Sequence, residues 1–301
     1  MRRLLVRPLF ASAVLAVLVT ASSAFALRIA APPVPGLRVA AADVIVVGRV
    51  VGMEDKDVEV TPFPGSGKVA YRIAVVRVTD EVMNAKGLTT IRVGFPAPPM
   101  ATPNQPPIIR PGLRPGLRVD LKIGNDGLFY LTNSGQKGLY LLPMFYDFVA
   151  RENGTFAKEL ETVRAHSKLL ADPMASLKSA DAEQRLLTAG LLVSRYREAR
   201  NGAKTEPIAA EESKLILKVL AEANWGAPFG QFHPQTIFNR LGVTPKDGWQ
   251  PNVKTAQDYQ NAARAWLREH MNTYRIQRIV GGTVAPVPGG LPGPRILPVD
   301  R

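Results

Sequence analysis

Apolar residues recur with a period of two up to about residue 150 and with a period of about 3.6 beyond it, and this switch constrains the fold more than any other feature of the chain. Asp43 to Val51 is β-branched on both faces, as in a strand buried on two sides. Val69 to Val78 alternates through Tyr71, Ile73 and Val75, then changes phase to Val76 and Val78, which predicts a β-bulge or tight bend. Thr89 to Phe95 and Leu117 to Ile123 each carry apolar residues on one face only, as half-buried strands do. Gly124 to Gly127 and Asn133-Ser134-Gly135 are turn sequences that join Leu117–Ile123 to Leu128–Leu131 and the latter to Leu139–Leu142. Six short strands without an intervening helical pattern predict a small antiparallel β-barrel over 43–150, since closure removes exposed edges. Residues 95–117 interrupt it with eight prolines and form a long excursion.

Residues 151–280 read as an all-α domain, making the chain α+β with the barrel first. Apolar stripes run through Phe156, Leu160 and Val163, through Leu186, Ala189 and Val193, through Leu215 and Val219, and through Tyr259, Ala263 and Trp266. Asp181 and Thr255 are placed as N-caps, Thr155 also caps a helix after the Asn153-Gly154 turn, Pro207 suits a first turn, and Gly242 stops a short helix from Pro234 to Leu241. Residues 281–301 hold five glycines and five prolines and read as a disordered tail.

The N-terminus has Arg2, Arg3 and Arg7, then an apolar run from Leu9 to Val19, then Ala24-Phe25-Ala26. That order is the pattern of a secretory signal peptide over 1–26, and the apolar run is too short for a membrane span of roughly 20 residues. Residues 27–42, with Ala-Pro-Pro-Val-Pro-Gly, read as an extended leader. The expectation is an exported protein, periplasmic or extracellular, with no transmembrane segment after cleavage. The chain has no cysteine, which excludes disulfides, a thiolate zinc site, lipid attachment at the signal and any cysteine nucleophile, so packing alone must hold it together.

Two stretches carry a family resemblance. Ala42 to Val50, Tyr71 to Val78 and the glycine-rich hairpin before Leu128-Phe129-Tyr130-Leu131 are together similar to the netrin/TIMP-like OB barrel at the start of many exported bacterial proteins, over about residues 40–145. The TIMP barrel engages a protease zinc through an N-terminal cysteine, which this chain lacks, so the resemblance implies a fold without that inhibition. The segments 172–197 and 206–225 resemble helix pairs of the HEAT type, and two unequal pairs do not make a repeat array.

No catalytic set is assembled in sequence. His166, His233 and His270 fall in separate elements, without a second histidine at metal-ligand spacing. Gly65-Ser66-Gly67-Lys68 lacks the leading glycine and the Ser/Thr of a phosphate loop, no Gly-x-Ser-x-Gly is present, and Asp55, Asp57 and Glu59 fit a solvated hairpin better than a calcium loop. No cofactor or metal is therefore expected.

Two surfaces remain as binding candidates. One is the aromatic loop of Trp225, Phe229, Phe232 and His233; the other is the basic ladder Arg110, Arg114 and Arg118 on the proline-rich excursion. The net charge of +13 is shared by both halves, 14 Lys/Arg against 10 Asp/Glu over 27–150 and 21 against 15 over 151–301, so no patch is dedicated to nucleic acid. The expected function is a non-enzymatic binding or scaffold protein of the bacterial envelope. An envelope protein or an anionic polymer would be its partner. An envelope enzyme with a site assembled from distant residues, with His233 as its best candidate, and a salt-sensitive binder of anionic envelope polymers are the alternatives.

Overall fold

The computed structural model describes residues 33–61, 67–97, 119–142, 144–198 and 204–280, which belong to one compact unit. The expected signal peptide, most of the proline-rich excursion and the Gly/Pro-rich tail lie outside the described residues.

The first element is a helix, α1 (Pro35–Ala41), in the segment expected to be an extended leader. Pro35 sits in the first helical turn, where its missing N–H costs nothing and its fixed φ already suits the helix. The strands that follow are β1 (Val44–Met53), β2 (Val58–Val60), β3 (Val69–Met83), β4 (Thr90–Pro96), β5 (Asp126–Asn133), β6 (Leu139–Leu141) and, after a 3-10 turn at Phe145–Asp147, β7 (Phe148–Ala150). They form one seven-stranded sheet in the order β1-β3-β4-β6-β5-β7, with β2 on β3 and a further pairing of β1 with β5.

The expected architecture, a small antiparallel OB-like barrel followed by an all-α domain, is corrected on three counts. The sheet is large and mixed rather than antiparallel throughout, because β6 runs parallel to β4. A helix precedes it. The helical half contains its own strand pair, β8 (Lys204–Pro207) with β9 (Gln277–Val280). Period-two alternation identifies a strand's buried face and says nothing of its edge partners, and the four-residue strands Lys-Thr-Glu-Pro and Gln-Arg-Ile-Val have too little apolar content to announce themselves. Residues 119–123 form no strand: they lead into a turn at Gly124, with Leu121 buried and Ile123 exposed. Pro207 ends β8 instead of opening a helix.

β1 is buried on both faces for the expected reason. Val44, Val46 and Val50 pack with Val76, Val93, Phe95, Phe129 and Leu131, whereas Ile45 and Val47 face Val39 of α1, Leu128, Tyr130 and Phe156. Each fully buried aliphatic chain of this kind contributes on the order of 1.5–3 kcal/mol. At the expected phase change Val50 and Gly52 oppose Val76 and Val75, so the extra residue there is Val51 of β1, while β3 carries its own extra residues further along at Thr79 and Val82.

The helices are α2 (Phe156–Ala171), α3 (Pro173–Leu177), α4 (Ala182–Tyr196), α5 (Ala210–Glu222), α6 (Pro234–Leu241) and α7 (Ala256–His270). Asp181 caps α4 by accepting from the Glu183 and Gln184 N–H groups, and Thr255 closes a capping box with Asp258, as the sequence indicates. Thr155 stands at the N-cap of α2 without a side-chain capping bond. Leu192, Ile216, Leu220, Phe238, Trp266 and Leu267 centre the helical core. Among the described residues no helix is long and apolar enough to cross a membrane.

Candidate functional site

α1 is wedged between the sheet and the helices, and a cleft of about 460 Å³ opens along it. One wall is α1 with Leu37, Arg38 and Ala41; the others are Met144, Tyr146 and Asp147 at the 3-10 turn, Ser194, Arg197 and Glu198 at the end of α4, and Arg240 near the end of α6.

Arg38 is 7% exposed, an arginine among Val39, Ala40 and Ala42. Its Nη2 lies 2.5 Å from Glu159 of α2, its Nη1 donates to the Tyr146 carbonyl at 2.8 Å, and its guanidinium stacks 4.6 Å over the Tyr130 ring. The Tyr130 hydroxyl in turn donates to Glu159 at 2.7 Å. Burial is the largest influence on that phenol and pushes it well above its ordinary value. The Arg38 Nε is buried with no hydrogen-bond partner. Asp147 accepts from the Met144 N–H at 3.0 Å and shapes the 3-10 turn.

The two remaining arginines come from helix C-termini, where the helix dipole favours cations. Arg197 follows the last turn of α4, its N–H bonded to the Val193 carbonyl, and its Nη1 reaches the Gln277 carbonyl at 3.4 Å. Gly242 ends α6 at φ 69°, a conformation that favours glycine, and a Cβ there would stand 2.7 Å from the Arg197 Nη2 and push that guanidinium aside. Arg240 donates from Nη1 to the Ser194 hydroxyl at 2.6 Å. Desolvation lowers the affinity of its guanidinium for the proton, and the nearby Glu198 charge partly offsets this. Among the described residues no carboxylate oxygen lies within 4.0 Å of Arg197 or Arg240.

The aromatic loop named by the sequence is divided among structural tasks. Trp225 is 3% exposed and donates from Nε1 to the Leu220 carbonyl at 2.9 Å. His233 is 5% exposed and caps α6: its Nδ1 accepts from the Gln235 N–H at 3.2 Å while its Nε2 faces the Trp225 carbonyl at 3.2 Å. Phe232 fills the gap between α1 and α4, against Gly36 and Gly190, and so spaces two walls of the cleft. Phe229 is the exposed member at 74%, its ring 4.8 Å from that of His233. Arg110, Arg114 and Arg118 lie outside the described residues.

His166 and His270 are likewise apart, the former in α2 beside Gly36 and the latter stacked 4.6 Å from Trp266. Among the described residues no three metal-ligating side chains are gathered. Sequence reasoning missed Arg38, Ser194, Arg197 and Arg240, of which only Arg38 leaves a trace, a lone cation inside an apolar helical turn. Compared with known protein families, curated proteins and solved structures, the chain shows no match.

Proposed function

We propose that this protein is an exported, non-enzymatic binding protein of the bacterial envelope, and that it holds its ligand in the cleft between α1, the 3-10 turn, α4 and α6. The observation that carries the reading is the convergence of Arg38, Arg197 and Arg240 from three separate elements on one concave surface of ligand size. Guanidinium groups hold planar anions by paired N–H bonds and do not exchange protons at neutral pH, which suits retention better than acid–base chemistry. The Ser194 hydroxyl in the cleft accepts from the Arg240 guanidinium rather than facing a base that could activate it. The basic, apolar and Ala-Phe-Ala order of residues 1–26 supports export.

The test has two parts. Intact-mass analysis of the protein recovered from cells should show a chain beginning at Leu27. A photoreactive residue at Met144, in the cleft, should give crosslinked adducts that the same residue at the exposed Ile123 does not, and that Arg240→Gln removes. Equal adducts from both positions would overturn the assignment of the cleft.

A further inference from the structure

Resting on that reading of the cleft, we propose that its ligand is an amphiphilic organic anion, with a carboxylate or phosphate-monoester head between Arg197 and Arg240 and an aliphatic body along Leu37, Ala41 and Met144. Both arginines line the same cleft and each reaches the other's helix end: Arg240 bonds Ser194, one turn before Arg197, and Arg197 lies against Gly242, two residues after Arg240. Among the described residues neither arginine has a carboxylate at contact distance, and an anion between them would accept charge-assisted hydrogen bonds from both. Glu198 neutralises part of the local charge, which leaves room for a single anionic head rather than a polyanion.

The opposite wall explains the rest of the ligand. Leu37, Ala41 and Met144 offer apolar surface, with Met144 38% exposed at the mouth. A cleft of about 460 Å³ falls within the roughly 300–1,000 Å³ range of sites for small organic molecules.

The experiment titrates the full chain with four six-carbon probes, hexanoate, hexyl phosphate, hexanol and hexylammonium, together with inorganic phosphate, and follows backbone amide resonances of Leu37, Ala41 and Ser194. Hexanoate or hexyl phosphate should saturate these shifts at least tenfold more tightly than hexanol, hexylammonium or inorganic phosphate, and whichever anion binds better identifies the head group. Arg197→Gln and Arg240→Gln should each weaken that binding at least tenfold. Arg240→Lys, which keeps the charge and loses the planar fork, should fall between and serves if the glutamine variants fold poorly. Hexanol or hexylammonium binding as well as the anions would overturn the anionic class while leaving the cleft as a binding site. No response to any probe would overturn both.

Discussion

Gly190 and Phe232 are coupled strongly enough that one substitution should change sign with its neighbour. Gly190 lies inside α4, where alanine is favoured over glycine by about 1 kcal/mol. A Cβ at Gly190 would stand 2.5 Å from Cδ1 of Phe232 and 3.1 Å from Cδ1 of Ile237. On its other side the ring packs close against α1, its Cε2 and Cζ 2.8 and 2.9 Å from where a Cβ on Gly36 would stand, which leaves it little room to shift that way. Overpacking of this kind costs about 1–3 kcal/mol, so Gly190→Ala should destabilise the wild type by up to about 2 kcal/mol despite the better helix former. Phe232→Ala alone should cost roughly 2 kcal/mol, below the range for fully buried phenylalanines because this ring is half-buried. With the ring gone, Gly190→Ala should stabilise by up to about 1 kcal/mol. Urea unfolding of the four proteins, followed by circular dichroism, measures the cycle. Additivity within about 0.5 kcal/mol, or stabilisation by Gly190→Ala in the wild type, would refute the wedge.

Two further outcomes follow from buried charge. Glu159→Gln should destabilise by about 3–5 kcal/mol, because it strands the Arg38 guanidinium in a site where the two side chains are 7% and 11% exposed. Arg38→Met combined with Glu159→Leu should recover most of that loss, leaving about 1 kcal/mol for the orphaned Tyr130 hydroxyl, and thermal unfolding checks both. Burial holds the His166 imidazole below its ordinary value of 6.5, so the unfolded chain takes up that proton more readily than the folded one. The stability linked to His166 is thus complete above pH 6.5 and is lost as pH falls through that value toward the lower folded one. His166→Gln should therefore flatten the fall in unfolding free energy between pH 7 and pH 5, and an unchanged slope would remove His166 as its source.

What was legible in the fold follows from the range of the forces that set it. Asp181 and Thr255 could be read as caps because a cap bonds N–H groups two or three residues away. The double burial of β1 could be read because its composition suits no half-exposed strand. The parallel meeting of β4 and β6 could not, since Arg92 and Leu139 are brought together by the whole intervening chain and not by either segment's pattern. Proline is ambiguous in both directions: Pro35, in a stretch whose prolines suggest an extended leader, opens a helix, and Pro207, which suits a first helical turn, closes a strand. Its locked φ suits all of these positions, and only the neighbouring hydrogen bonds decide among them.

The site was less legible for a deeper reason. Arg197 and Arg240, taken alone, are cations at helix ends, where the macrodipole already accounts for them, and nothing local marks either as exceptional. Their significance lies in the meeting of α4 and α6, which depends on the core around Phe238 and on a glycine at position 242 that leaves space for the Arg197 side chain. The aromatic loop attracted attention because aromatic residues in a glycine-bearing loop resemble a binding surface, yet the fold uses Trp225, Phe232 and His233 to hold α5, α6, α4 and α1 in place. In the proposed binding site their part is therefore positional. Phe232 sets the separation of α1 from α4, and with it the distance from Leu37 to Ser194 across which a ligand must fit. A shorter residue there should change ligand affinity through the width of the cleft, although the ring is absent from its lining.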